Sequence, residues 1–265
     1  MTVFKKIGIA CGVIALLAVL LGLVVLIPFL RGPPEIELRV DDGMVEVLQG
    51  AWHPAITGMA LKQGDAIRTK EGKATVIFFG ANLLRLDANT EVKLTAVDED
   101  EAKVIIAQSS GRTWNRVIKA QENTLAEAVN LKGIRYYELE LPTAVATVRG
   151  TAFATDAKGM ISVVHGKVAV TKGEEEKLVE QATAIITEKI SVVPLQKDAW
   201  IAENQKKDDE FDTGIIAKIR EKYWFLIKIA KEKGMTDEQI DQGIRDYLAG
   251  RITDEQLSAL EEAAS

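Results

Sequence analysis

Tyr137-Glu138-Leu139-Glu140-Leu141 alternates without a break: three apolar side chains face one way and two carboxylates the other. A period of two marks a strand with one buried face; a helix would scatter the same five side chains around its circumference. Reading outward from this stretch, the short period persists from about residue 36 to residue 193. Strands are expected before it at 44–48, 74–79, 83–86, 91–95 and 104–108. After it they are expected at 144–148, 151–154, 161–164, 167–171, 178–180, 185–187 and 191–193, with the quoted stretch itself at 136–141. Gly- and Asp/Asn-bearing turns separate many of them: Gly64-Asp65, Glu71-Gly72, Asp87 to Asn89, Lys158-Gly159, Gly166 and Lys172-Gly173. About a dozen short strands with no helices between them imply a sandwich or a short β-solenoid, not a parallel α/β sheet. Residues 115–133 interrupt the rhythm and read as an insertion.

Toward the N-terminus the character changes. Residues 7–30 are 24 consecutive residues without a charge. At about 1.5 Å per residue they reach roughly 36 Å, enough to cross a hydrocarbon layer of about 30 Å. Lys5 and Lys6 precede the run, while Arg31 is followed by Glu35, Glu37, Asp41 and Asp42. That bias orients residues 1–6 to the cytoplasm and everything beyond Leu30 to the outside. A cleaved signal peptide is the rival reading, but the run is long for one and no small-x-small site follows it. Arg31-Gly32-Pro33-Pro34 ends the span and begins a short stiff linker, residues 31–35.

Beyond residue 195 the period becomes helical. In 213–232, the strongest segment, Ile215, Ile216, Ile219, Tyr223, Leu226, Ile227 and Ala230 form one stripe. Trp224 falls on the opposite, charged face and Phe225 on the flank. Thr236-Asp237-Glu238-Gln239-Ile240 and Thr253-Asp254-Glu255-Gln256-Leu257 repeat each other and read as two capping boxes. Residues 196–265 are therefore expected to be a small helical module, open to self-association or to docking on a partner or a membrane surface.

Two of the 33 Lys+Arg and none of the 39 Asp+Glu precede Arg31, so the rest of the chain balances at −8. An acidic body without a basic stripe has no electrostatic reason to bind nucleic acid. The single cysteine, Cys11, lies in the apolar run, so no internal disulfide can form. The two histidines, His53 and His165, have no ligand spacing, and no nucleophile elbow, P-loop or dinucleotide fingerprint is present. Asp98 to Glu101 reads as a solvated loop, not a calcium loop, because its acids are adjacent instead of spaced. No catalytic, cofactor-binding or metal residue is assigned, and an enzyme is not expected.

Several motifs, in order, resemble the FecR-type domain. They are Gly50-Ala51-Trp52-His53-Pro54-Ala55 with Gly58 through Thr69, Leu84-Arg85-Leu86-Asp87, Asn89-Thr90-Glu91-Val92, Gly111-Arg112-x-Trp114-x-x-Val117, and Val163-x-x-Gly166-x-Val168-x-Val170. The most specific is Pro142-Thr143-Ala144-Val145-Ala146-Thr147-Val148-Arg149-Gly150-Thr151-x-Phe153. The resemblance spans roughly residues 44–187. It implies a membrane-anchored, extracytoplasmic, non-catalytic β domain, residues 36–195, used for protein interaction or sensing. FecR-like namesakes also bind a sigma factor through a cytoplasmic region, and six residues before the span offer no counterpart. The expected partner is another envelope or membrane protein; a structural role at the cell surface, or binding to an envelope polymer, is the alternative.

Interaction candidates are Arg149, Trp52, Trp114, Trp224 and Phe225. Arg149 reads either as a structural guanidinium paired with a carboxylate such as Asp65 or Asp87, or as a contact to a ligand or partner. Trp52 and Trp114 read as core aromatics or as stacking surfaces. Gly150 suggests a close backbone approach or a bulge.

Overall fold

The structure, a computed structural model, describes residues 35–120, 131–148, 150–196 and 198–248, with residues 247 and 248 described by backbone alone. The span expected at 7–30, the middle of the insertion (121–130), Arg149 and the second capping box (253–257) lie outside the described residues. Among the described residues no helix is long and apolar enough to cross a membrane.

Among the described residues eighteen strands form two nine-stranded sheets, more than the dozen expected. The first sheet runs, edge to edge, β18 (Ser191–Pro194), β17 (Thr183–Ile186), β14 (Met160–His165), β13 (Thr151–Asp156), β10 (Arg112–Val117), β7 (Asn82–Leu86), β6 (Lys73–Phe78), β1 (Ile36–Asp42) and β4 (Met59–Ala60). The second runs β16 (Glu175–Glu180), β15 (Lys167–Lys172), β12 (Val145–Val148), β11 (Tyr136–Glu140), β9 (Lys103–Ser110), β8 (Glu91–Asp98), β5 (Ala66–Thr69), β2 (Val45–Gln49) and β3 (Ala51–Pro54). Neighbours pair antiparallel except β9 and β11, which run parallel, Leu139 opposite Ile106.

The sheets pack through one apolar cluster. Leu38, Val76, Phe78, Leu84, Phe153, Ile161 and Val163 of the first sheet meet Val47, Ile67, Leu94, Ile106, Leu139, Ala146 and Val170 of the second. Each such side chain, fully buried, stabilises the fold by about 1.5–3 kcal/mol. In the opening stretch Tyr137 and Leu139 face inward while Glu138 and Glu140 lie on the partly solvated side, so the alternation sets the register.

A polar chain crosses this core. Tyr137 Oη donates to Asn115 Oδ1 (2.6 Å), Asn115 Nδ2 to Thr113 Oγ1 (3.0 Å), and Thr155 Oγ1 to Gln108 Oε1 (2.6 Å). Burial pushes the Tyr137 hydroxyl far above its ordinary range, which keeps it a donor. Asn115 to Val117 therefore belong to β10, paired to β7 and β13, and not to an insertion.

From β6 onward strands alternate between the sheets in pairs, with β10 crossing alone, and several of the crossings turn at glycines. Gly150, between β12 and β13, has φ +71°, and a Cβ there would lie 2.9 Å from Lys119 Cβ. Gly166, between β14 and β15, has φ +81°, and its Cβ would sit 2.7 Å from the Gly150 carbonyl oxygen. Two glycine corners stack backbone on backbone, the close approach expected at Gly150.

Three helices follow among the described residues: α1 (Ala199–Lys222), α2 (Trp224–Glu232) and α3 (Asp237–Leu248). Asp198 caps α1, its Oδ1 accepting from the Ile201 N–H at 2.8 Å. The segment expected as one helix at 213–232 is interrupted at Tyr223, whose N–H closes the last turn of α1 on Ile219 O. The capping box of α3 forms as expected. Gln239 N donates to Thr236 Oγ1 (3.2 Å), and Thr236 N donates to Gln239 Oε1 (2.9 Å).

Candidate functional site: the outer face of the first sheet

On β7 and β10 the inward side chains build the core, so the alternate ones point outward: Arg85, Arg112, Trp114 and Arg116. In a solvated sheet such a face would be wet. Here α1 covers it, and it does so with carboxylates. Arg85 Nη1 meets Asp208 Oδ1 at 2.5 Å, Arg112 Nη2 meets Asp198 Oδ2 at 2.8 Å, and Arg116 pairs with Asp212. Trp114 Nε1 donates to the second oxygen of Asp208 at 2.9 Å. The Arg116 guanidinium also donates to Ala81 O at 3.0 Å.

Asp208 and Asp212 are one helical turn apart, so one face of α1 meets both Arg85 and Arg116. Burial raises both carboxyls above the ordinary range, Asp208 against the pull of Arg85 and Arg116 and Asp212 against Arg116. At Asp198 burial works the same way, but the Ile201 N–H and the Arg112 guanidinium outweigh it and hold the carboxyl below the ordinary range. Around the pairs, Trp114 and Trp200 pack edge to face at 6.4 Å, and the Arg112 guanidinium lies 4.2 Å over the Trp200 ring. Further along, Ile215 and Ile219 close on Ala81 and Leu131.

Two clefts open beside α1. One, about 620 Å³, is lined by Arg112, Ser162, Ile186, Pro194, Asp198 and Ile201. The other, about 510 Å³, is lined by Arg116, Gly150, His165, Gln181, Asp209 and Asp212 among others. Among the described residues no group of three His, Cys, Asp or Glu side chains could hold a metal. The arrangement is one that holds shape and charge: fixed guanidiniums and carboxylates that are already paired, next to concave surface large enough for a peptide or loop of a partner.

The structure distributes the sequence candidates widely. Trp114 is fully buried under α1, so it packs instead of presenting a surface. Trp52 is half-buried on edge strand β3, with the Arg68 guanidinium 4.0 Å over its ring. Arg68 in turn holds Glu46 at 2.7 Å and keeps that carboxyl below its ordinary range. The two acids suggested for Arg149, which itself lies outside the described residues, make contacts among the described residues. Asp65 accepts from Gln49 Nε2 (2.6 Å) and Lys62 N (3.0 Å), and Asp87 lies 3.8 Å from Lys73. Trp224 and Phe225 stand out from α2, 64% and 58% exposed, with their rings edge to face. Asp98 caps its own loop through the Glu101 N–H at 2.9 Å.

The sequence reading missed Arg85, Arg116, Asp208 and Asp212. The signal was present: Arg112-x-Trp114-x-Arg116 has the strand period, and Asp208 and Asp212 have the helical one. Only the fold brings the two series together.

Residues 65–169 match the model of the FecR protein family. The match lies inside the strand-rich body and includes Arg85, Trp114 and Arg116. Two crystal structures of a candidate anti-sigma factor from Parabacteroides distasonis ATCC 8503 are similar to the chain. One aligns with a TM-score of 0.38 and 16% identity over 51% of this chain, the other with 0.38 and 15% over 50%. The chain spans about 60% of the length of those proteins. No curated protein matches.

Proposed function

We propose that this chain is a membrane-anchored, extracytoplasmic module of FecR type, non-catalytic, that recognises another envelope or membrane protein. The observation that carries the reading is a conjunction in one chain. A stretch matching the FecR family model sits in a sandwich beginning at Ile36, and 24 uncharged residues after Lys5 and Lys6 precede it by a short linker. Such a run has the length and flanks of a span with its N-terminus inside. The clefts beside α1 supply concave, charge-bearing surface for a partner segment, and the wall of the second is held by the largely buried Arg116–Asp212 pair.

Protease added to spheroplasts tests the orientation. Digestion of the strand-rich body in intact spheroplasts supports the reading, and protection until lysis overturns it. Purification of the full chain in mild detergent tests the rest. A stoichiometric membrane or envelope protein whose retention is lost when Gln181 and His165 are both changed to glutamate supports partner recognition at the second cleft. Retention unchanged by those substitutions removes the cleft from the reading.

A further inference from the structure

The short helix α2 has no buried residue, although its sequence, Trp224-Phe225-Leu226-Ile227-Lys228-Ile229-Ala230, is the most apolar in the helical part. A helix excluded from the core would ordinarily be polar on its open side. Here Trp224, Phe225 and Leu226 are all exposed. Large exposed apolar clusters of this kind mark a surface that something covers.

The place of α2 in the fold says what. The chain enters the sandwich at Glu35, whose carbonyl accepts from the Phe79 N–H at 2.8 Å. Two residues on, Ala81 lies in the cluster formed with Leu131, Ile215 and Ile219, and Tyr223 packs against that cluster. Trp224 is the next residue. The end of the body where α2 begins is therefore the end where the chain arrives from the uncharged run. Only five peptide steps separate Leu30 from Glu35, at most about 18 Å of extended chain. On the anchored reading, a linker of that length permits this end of the body to reach the bilayer.

The charges fit as well. Residues 214–235 carry Lys218, Arg220, Lys222, Lys228, Lys231 and Lys233 against Glu221 and Glu232, a basic island in a chain of net charge −6. Arg220 is engaged by Asp237 and Asp241, and Lys231 by Asp237. Lys218, Lys222 and Lys228 are exposed. Aromatic side chains flanked by lysines are the pattern of a helix lying in a headgroup layer, where Trp gains from having one apolar and one hydrated side.

We propose that α2 is a second, non-spanning membrane attachment: Trp224, Phe225 and Leu226 enter the lipid interface and the flanking lysines meet headgroups, so that the sandwich is held against the bilayer in one orientation. The proposal rests on the anchored reading above.

The test uses the full chain in nanodiscs of phosphatidylcholine and phosphatidylglycerol, with and without lipid brominated near the headgroup. Bromolipid should quench tryptophan emission. The quenching should be lost in Trp224→Phe and reduced in Phe225→Asp, which keeps the reporter. Replacing phosphatidylglycerol by phosphatidylcholine should weaken it. Equal quenching in wild type and Trp224→Phe, or none in either, overturns the attachment while leaving the anchor intact. A photo-crosslinker at Phe225 that captures a protein or a second copy, with no quenching, assigns the face to that partner and likewise overturns it. Failure of the chain to enter nanodiscs at all overturns the anchored reading and this attachment with it.

Discussion

The indole N–H of Trp114 donates to Asp208 Oδ2 while Arg85 holds Asp208 Oδ1, so one buried carboxylate of α1 has both oxygens committed to the first sheet. A helix tied to a sheet by apolar contact alone could slide by a residue at modest cost. One tied through a carboxylate with two fixed partners cannot, because any slip leaves a guanidinium buried without its anion.

That arrangement predicts a large asymmetry between single and double replacements. Asp208→Ala should destabilise the protein by about 3–5 kcal/mol, since Arg85 would stay buried and unpaired. Arg85→Met combined with Asp208→Leu should recover most of the loss. Urea unfolding of the three variants measures this; a cost below about 1 kcal/mol for Asp208→Ala would show that the pair does not hold the helix.

The glycine corners predict a graded series. Gly173 also has positive φ, but nothing lies within 4 Å of its would-be Cβ. Gly173→Ala should therefore cost only the left-handed backbone penalty, about 1–2 kcal/mol. Gly166→Ala carries the same penalty plus a clash with the Gly150 carbonyl, worth a further 1–3 kcal/mol or so. Equal melting temperatures for the two variants would mean that the corner is open.

Acid should loosen the N-terminus of α1. The Asp198 carboxyl is held below its ordinary value of 3.8 in the folded chain, so the unfolded chain binds that proton more readily. Its contribution to stability is complete above that value and is lost as pH falls through the folded value. Trp200, stacked under Arg112, reports the loss: its emission should shift below about pH 4, and the shift should be absent in Asp198→Asn. A transition already complete at pH 5 would assign it to another group.

Removing the capping hydroxyl of α3 should act locally. Thr236→Ala forfeits a reciprocal pair of hydrogen bonds, about 1 kcal/mol of helix stability. Hydrogen exchange should speed up within Asp237–Leu248 while β10 and β13 keep their protection. Faster exchange throughout the sandwich would mean that α3 supports the body as a whole.

Many strands were legible where one face is apolar and the other polar, although β1, which alternates as cleanly through Ile36, Leu38 and Val40, was not among those expected. β15, with Val168 and Val170 inward, was visible for that reason, as was β11. β10 was not, because neither of its faces follows the rule. Thr113 and Asn115 point into the core to form hydrogen bonds, while Arg112, Trp114 and Arg116 point out to be covered by α1. The first half of α1 was expected to be helical, but its buried face was not legible, because it uses Asn204 and Asp208 alongside Ile201. Its second half, with Ile215, Ile216 and Ile219, carried an ordinary apolar stripe. Polar-to-polar packing has no hydropathy signature, so the candidate face could be seen only once the fold had assembled it. The capping box needed no tertiary context and was readable from five residues.

The alternation of strand pairs between the sheets bears on how this protein can be divided. A fragment limited to the family-matching stretch, 65–169, would begin at β5 and end within β15. It would strip β1, β4, β17 and β18 from one layer and β2, β3 and β16 from the other, exposing apolar surface on both and leaving Arg85 and Arg116 without α1. Recognisable sequence and autonomous folding thus have different borders here. Melting should be a single cooperative event for strands and α1 together, with no smaller piece surviving on its own.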